Sequence, residues 1–157
     1  MFDTPVDAWY LWVGLAVASL AVLGTALLVA AGTPTGAARV ADAIDEVAAS
    51  PYLATETVAL DAEALRLGPS RLALRTRAGI AHATLAYAPV TPVIGGRLGT
   101  VLRGRAVAAV FDSSAAFRRA LVRARDRARD RGGFRPAPTR LTVRRVSWGE
   151  VDATLVG

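Results

Sequence analysis

The sequence contains few side chains of the kinds that catalyse reactions. It has no cysteine, which excludes a thiolate nucleophile, a zinc knuckle and a disulfide framework. His82 is the only histidine, so a metal site around it would need carboxylates alone as further ligands. The thirteen Asp and Glu residues show no paired arrangement typical of an acid/base dyad. We therefore predict that the protein is not an enzyme and that it holds no metal ion and no cofactor.

Residues 95–100 form the stretch most similar to a phosphate-binding loop. Their sequence, Gly-Gly-Arg-Leu-Gly-Thr, lacks the spacing and the lysine of the Walker motif. The stretch also follows chain that is interrupted by Pro89 and Pro92 rather than a clear strand. No serine has the flanking glycines of a nucleophile elbow. We interpret residues 95–100 as a flexible turn.

Arginine supplies all nineteen basic residues and gives the chain a formal net charge of +6. The charge is densest over residues 118–131, where seven arginines and two aspartates leave a net charge of +5. Three interpretations stay open: a solvated helix face, a face that docks onto anionic lipid or an acidic partner, and a nucleic-acid-binding face. The lack of interleaved aromatic residues makes nucleic acid the least favoured. The candidate docking face comprises Arg118, Arg119, Arg123, Arg125, Arg127 and Arg129.

Residues 9–32 carry no charged side chain and are long enough to cross a membrane. As a helix, these 24 residues would span about 36 Å, more than the ~30 Å hydrocarbon core. Aromatic residues cluster at the start of the run, where their rings favour the lipid headgroup level. Asp3 and Asp7 precede the run, whereas a cleaved signal peptide begins with positive charge. The segment is therefore predicted to be an uncleaved transmembrane anchor in the cell membrane, with cleavage at its alanine-rich end, residues 30–32, as the open alternative.

Residues in and beside the anchor bear on its orientation and its partners. No basic residue precedes the anchor and Arg39 follows it, so the positive-inside rule favours a cytoplasmic domain. Because long domains can be translocated regardless of this rule, an external domain stays open. Four small residues at i, i+4, i+7 and i+11 form a stripe on which another helix could pack. The stripe consists of Gly14, Ala18, Ala21 and Thr25. We expect contact with the lipid bilayer and either self-association or a membrane-protein partner.

Helix and strand patterns alternate in the rest of the chain. Residues 36–50 show the apolar spacing of a short amphipathic helix. Leucines alternate with arginines over residues 65–75, and a segment of small residues with Leu85 and Tyr87 on one face follows over residues 80–88. With the turns rich in glycine and proline between them, these segments predict an antiparallel meander. The apolar run over residues 106–111 predicts a central strand. Two final strands are expected over residues 140–148, where the alternation is imperfect, and over residues 150–156.

Residues 114–131 carry the clearest helical pattern. Asp112 or Ser113 is the predicted N-cap, and two glycines at 132–133 end the helix. The predicted buried stripe is Phe117, Leu121, Ala124 and Ala128. We therefore predict an α+β fold in which an N-terminal transmembrane helix precedes a small antiparallel sheet, packed with one long amphipathic Arg-rich helix.

The predicted domain organisation has four segments. Residues 1–8 form a short N-terminal tail, and residues 9–32 form the transmembrane anchor. A juxtamembrane linker and short helix follow over residues 33–51, because Pro51 closes the helical pattern. Residues 52–157 form the α+β domain.

Three segments carry a resemblance to a known family. Residues 1–10 read MFDTPVDAWY, residues 110–120 read VFDSSAAFRRA, and residues 146–157 read VSWGEVDATLVG. With these segments the chain resembles an uncharacterised family of short haloarchaeal single-pass membrane proteins. The resemblance implies no assigned activity, but it implies an accessory role beside type IV pilus-like or secretion machinery. The chain departs from haloarchaeal proteins in being basic, and it lacks the basic processing site that precedes the helix of an archaeal pilin.

Two functions from different classes follow from these patterns. The favoured one is a non-enzymatic, membrane-anchored structural or accessory component of a membrane protein assembly, with a pilus-like assembly as one possibility. The alternative is a membrane-tethered binding module whose Arg-rich face docks onto anionic lipid or another polyanion. A nucleic-acid partner is disfavoured, and an enzyme would require a pocket with convergent polar groups.

Overall fold

The computed structural model describes residues 36–130 and 132–157. In chain order the elements are helix α1 (Gly36–Ala49), strands β1 (Thr55–Ala59), β2 (Ala64–Leu67), β3 (Arg71–Thr76), β4 (Gly79–Thr84) and β5 (Thr91–Pro92), helix α2 (Gly96–Leu102), a 3₁₀ helix (Val107–Ala109), helix α3 (Ser114–Asp130), and strands β6 (Arg135–Pro136), β7 (Arg140–Trp148) and β8 (Val151–Val156). The predicted anchor and its packing stripe lie outside the described residues. Among the described residues, no helix combines the length and the apolar character needed to cross a bilayer.

Strands β2, β3 and β4 form the antiparallel meander that the sequence predicts. Strand β6 pairs with the other edge of β2, which gives a four-stranded sheet in the order β4-β3-β2-β6, here called the meander sheet. Leu65 and Leu67 of β2 are buried, as are Leu72 and Leu74 opposite them in β3. Arg66, between the two leucines of β2, is exposed. Period-two alternation therefore decides which face of this sheet enters the core.

A second sheet, here called the central sheet, has the order β1-β7-β8-β5. Strand β7 pairs antiparallel with both β1 and β8, whereas β5 runs parallel to β8. Leu141 and Val143 of β7 enter one hydrophobic core, and Val146 enters another. Both faces of β7 are thus covered, which explains why its apolar and polar residues do not alternate cleanly.

One face of helix α1 packs against both sheets. It contacts strands of the meander sheet and of the central sheet, and Ile44 at its middle is fully buried. The carboxylate of Asp45 accepts hydrogen bonds from the backbone N–H groups of Ala86 and Tyr87, each at 2.9 Å, which holds the chain that follows β4. The first core forms around this helix. Its buried residues are Ala37, Val40, Ala41, Ile44, Val47, Leu65, Leu67, Leu72, Leu74, Leu85, Val90, Leu141, Val143 and Val156.

Two adjacent arginines of β7 reach the ends of two different helices. Arg144 Nη1 donates to the carbonyl oxygen of Val101, in the last turn of α2, at 2.6 Å. Arg145 Nη1 donates to the carbonyl oxygen of Ala48, in the last turn of α1. The last carbonyls of a helix have no partner within the helix, and they carry the negative end of its dipole. Each guanidinium therefore caps one helix, on opposite faces of the central sheet.

The second core lies on the other face of the central sheet, under α2 and α3. Its central ring is Phe117, whose centroid lies 5.3 Å from that of Phe111 and 6.5 Å from that of Trp148. The buried members are Val93, Leu98, Val101, Leu102, Val107, Phe111, Phe117, Leu121, Ala124, Val146, Val151, Ala153 and Leu155. The predicted strand over residues 106–111 is wrong, because the chain forms a 3₁₀ helix there (Val107–Ala109). Val107 and Phe111 of this apolar run enter the second core, whereas Ala106, Ala108 and Ala109 are exposed, so a short apolar run did not by itself distinguish a strand from a helical turn.

The predicted α+β class is confirmed, but the prediction of one small antiparallel sheet is wrong. The described residues form two four-stranded sheets and three α-helices, and one strand pair is parallel. Strands β5 and β6 contain two residues each, too few to produce a periodic pattern. The sequence therefore could not indicate the parallel pair or the strand that completes the meander sheet.

Candidate binding groove beside the Arg-rich helix

Helix α3 begins where the sequence predicts. The hydroxyl of Ser113 accepts a hydrogen bond from the backbone N–H of Ala116 at 3.2 Å, which identifies Ser113 as the N-cap. Phe117, Leu121 and Ala124 are buried, and they attach the helix to the second core. The remaining faces of the helix carry its arginines.

The helix divides the six arginines of the predicted docking face into two sets. Arg119, Arg123 and Arg127 are spaced four residues apart, so they follow one flank of the helix at intervals of about 6 Å. We call these three residues the groove row, because all three line a groove of about 730 Å³. Arg118, Arg125 and Arg129 lie on the opposite flank and do not line that groove.

The groove runs between α3 and the loop that joins β5 to α2. Its base is apolar, because Leu98, Phe111 and Ala124 line it and are themselves buried. Ile94 on the loop side lines it as well and keeps 77% of its surface exposed. The groove therefore offers an apolar base and an apolar side chain on one rim, with a row of guanidinium groups on the other.

The loop side of the groove takes its shape from two glycines. Gly95 and Gly96 have φ angles of 144° and 68°, both in the region that side chains other than glycine rarely adopt. A Cβ at either position would have open space around it, so backbone conformation rather than crowding requires glycine. The turn predicted over residues 95–100 is therefore confined to its first residues, because α2 begins at Gly96.

Arg97 holds the loop against the segment that precedes α3. Its guanidinium donates to the carbonyl oxygen of Val110 through Nε, at 2.8 Å, and through Nη2. It stacks over the ring of Phe111 at 4.4 Å and lies 3.4 Å from the carboxylate of Asp112. The sequence prediction missed Arg97, although a lone arginine inside a glycine-rich turn is a signal that could have found it. It fixes the groove wall opposite the groove row.

The chain matches the model of one known protein family. The model of a family of unknown function matches residues 3–146. The chain belongs to this family, DUF7283. No curated protein and no solved structure matches the chain.

The family match includes every residue that lines the groove. The matched range of this DUF7283 member also includes the predicted anchor, and it ends inside β7. Membership in an uncharacterised family agrees with the resemblance drawn from the sequence. The family brings no assigned activity with it.

Arg125 has a structural contact that separates it from the exposed arginines. Its Nε donates to the hydroxyl of Thr91 at 2.9 Å, and Thr91 in β5 is fully buried. Burial lowers the pKa of the Arg125 guanidinium, and the nearby charge of Arg129 lowers it further. Arg125 therefore connects α3 to the edge of the central sheet.

The arginines of the groove row have no ionic partner among the described residues, and the same is true of Arg118 and Arg125. None of the carboxylates in the described part of the chain lies within ion-pair distance of Arg119, Arg123 or Arg127. The Nε of Arg127 donates to the backbone carbonyl of Arg123 at 3.2 Å, which leaves its charge uncompensated. By contrast, Arg129 pairs with Asp126 at 3.0 Å. The row is thus a continuous strip of positive charge.

His82 lies far along the chain from these residues. It is exposed on β4, opposite Ala73 of β3, and lines a shallow basic depression with Arg66 and Arg71. Over residues 36–130 and 132–157, no group of three His, Cys, Asp or Glu residues could hold a metal ion.

Proposed function

We propose that this protein is a non-enzymatic, membrane-anchored accessory component of a membrane protein assembly. In this proposal, the groove beside α3 docks the domain onto an anionic partner. The observation that carries it is the groove row, which faces a fixed loop across an apolar base and has no carboxylate of the described residues within ion-pair distance. The resemblance to proteins beside type IV pilus-like or secretion machinery supports an accessory role in such an assembly.

Like charges along the groove row give a physical reason for this proposal. Arginines spaced four residues apart on a helix repel one another, which costs about 0.2–0.5 kcal/mol for each pair. The free protein carries this cost twice, between Arg119 and Arg123 and between Arg123 and Arg127. An anionic partner would turn the repulsion into several charge-assisted hydrogen bonds.

The predicted anchor supports a docking role because it limits the volume in which the domain can search. A domain tethered to the bilayer meets other membrane components at an effective concentration far above that of a free protein. Weak ionic contacts of the groove row are then sufficient for specific assembly. The small-residue stripe of Gly14, Ala18, Ala21 and Thr25 would add helix packing within the membrane.

A second candidate function is docking onto anionic lipid, and one exposed side chain favours it. Val122 keeps 49% of its surface exposed, and it lies among Arg118, Arg119 and Arg123 on the outside of α3. An apolar side chain surrounded by arginines is typical of surfaces that contact anionic headgroups. This patch overlaps the groove row at only two of its three arginines.

Co-purification of the full-length chain tests the proposed function. The triple variant R119E/R123E/R127E removes the groove row, and R77E/R105E/R140E makes the same change in charge at exposed arginines elsewhere. After cross-linking in native membranes and extraction in mild detergent, we expect a discrete complex with the parent and the control variant. The groove variant should give the free chain.

Two results would overturn the proposal. One is a parent chain that is extracted only as a free monomer. The other is a complex that survives in the groove variant as well as in the parent. If the groove variant and a V122N variant both lose binding to vesicles containing phosphatidylglycerol while cross-linking finds no protein, the lipid-docking function replaces the first.

A further inference from the structure

The shape of the groove distinguishes between kinds of anionic partner. A bilayer is flat on the scale of this domain, so it would contact the rims of a groove and leave the apolar base uncovered. Leu98, Phe111 and Ala124 make up that base, and the groove has a volume of about 730 Å³. A protein segment can enter such a groove and cover the base, as amphipathic segments do in other binding grooves.

Resting on the proposed function, we propose that the groove binds an acidic, partly apolar segment of a partner protein. Its carboxylates would pair with the groove row, and its apolar side chains would contact the base and Ile94. This assigns each chemical feature of the groove to one feature of the occupant. A purely ionic partner would leave Ile94, which is 77% exposed, without a role.

The spacing of the groove row defines the spacing of the carboxylates. Neighbouring arginines of the row are separated by one turn of helix, about 6 Å along the axis. A helical segment presents every fourth side chain at the same interval, and an extended segment presents every second side chain at about 6.6 Å. Arginine side chains are long enough to absorb the small difference. The segment therefore carries three acidic residues at one of these two spacings.

Asp112 and Arg97 set the limit of the acidic contact. Arg97 already interacts with Val110, Phe111 and Asp112, so its charge is partly satisfied in the free protein. The loop wall consequently offers the apolar side chain of Ile94 and the paired charges of Arg97 and Asp112 rather than a second strip of free charge. The carboxylates of the occupant should lie on the α3 side and its apolar side chains on the loop side.

Two synthetic peptides test this assignment. One is a helix-forming peptide with glutamate at every fourth position and leucine beside it, and the other alternates glutamate with valine. Each has a matched control in which glutamine replaces glutamate. The full-length chain, held in nanodiscs of neutral phosphatidylcholine, is titrated with each labelled peptide, and fluorescence anisotropy gives the Kd.

We expect one glutamate peptide to bind and its glutamine control to bind at least about tenfold more weakly, because three charge pairs are lost. R119E/R123E/R127E should weaken binding at least as much, whereas R77E/R105E/R140E should change it less than about threefold. I94N, at an exposed position, should weaken binding about threefold to tenfold without affecting the fold.

Binding that is equal for glutamate and glutamine peptides, or unaffected by the groove variant, would overturn the inference. So would binding of neither peptide under conditions where nanodisc-bound protein still docks onto phosphatidylglycerol vesicles through the groove row. If the peptides fail while cross-linking still finds a complex that depends on the groove row, this inference falls and the proposed function stands.

Discussion

The arginines of β7 and those of the groove row have the same side chain but differ in burial and in hydrogen-bond partners. Arg144 and Arg145 are partly buried, and each donates to a carbonyl at the end of a helix. Arg119, Arg123 and Arg127 lie on a groove wall with no described carboxylate within ion-pair distance. Because arginine supplies every basic residue of this chain, residue type alone does not show which arginines are structural and which bind a partner. The partner that each guanidinium has, or lacks, is what separates a structural role from a binding role.

The largest expected effect concerns the arginines of β7. Arg144→Leu or Arg145→Leu removes a charged donor from a helix terminus, so each should lower the free energy of unfolding by about 1.5–3 kcal/mol. Urea denaturation of the full chain in detergent, followed by circular dichroism, measures this loss. Arg123→Leu is the matched control and should change stability by less than about 0.5 kcal/mol. Equal losses in the free energy of unfolding for the Arg145 and Arg123 variants would contradict the distinction between the two sets of arginines.

An intermediate effect is expected at Arg125, which belongs to α3 but has a buried partner. Arg125→Met keeps most of the side-chain stem and removes the hydrogen bond to Thr91, so stability should fall by about 1 kcal/mol. A double-mutant cycle with Thr91→Val measures the coupling between the two side chains. A coupling energy close to zero would indicate that the contact between Arg125 and Thr91 does not stabilise the fold.

The smallest expected effect has the opposite sign. R119Q/R123Q/R127Q relieves two like-charge pairs at four-residue spacing, so the free energy of unfolding should rise by about 0.4–1 kcal/mol. The same variant should lose binding of the acidic peptide in nanodiscs. Stability and binding would then move in opposite directions, as expected for charges retained for a partner. A variant that lost stability would indicate that the row supports the fold.

Sequence patterns predicted the elements that bury one face, and they also predicted β7 at its observed bounds (Arg140–Trp148), although both of its faces are covered. Helix α3, its Ser113 cap and its buried stripe at Phe117, Leu121 and Ala124 follow from helical periodicity. The alternation of leucines in β2 and β3 likewise predicted which face of the meander sheet is buried. Strand β7 gave a blurred pattern because Leu141 and Val146 enter cores on opposite sides of it.

The candidate site was predictable only in part, for a geometric reason. The sequence identified six arginines on one helix, but it could not say which flank would face the loop before α2. That choice depends on the orientation of α3 against β5 and β8, which is a matter of tertiary contact. Arg97 lies on the loop side of the groove, opposite the groove row. Its contacts with Val110 and Phe111, thirteen or more residues away in the chain, hold it there.

The packing of α1 against both sheets has a mechanical consequence. Because Ile44 is fully buried there, α1 cannot swing away as a hinge without opening the first core. The helix begins at Gly36, so a force applied to the chain at that residue would be resisted by the packed side chains of α1. Load entering the domain there would reach β3 and β7 within one element.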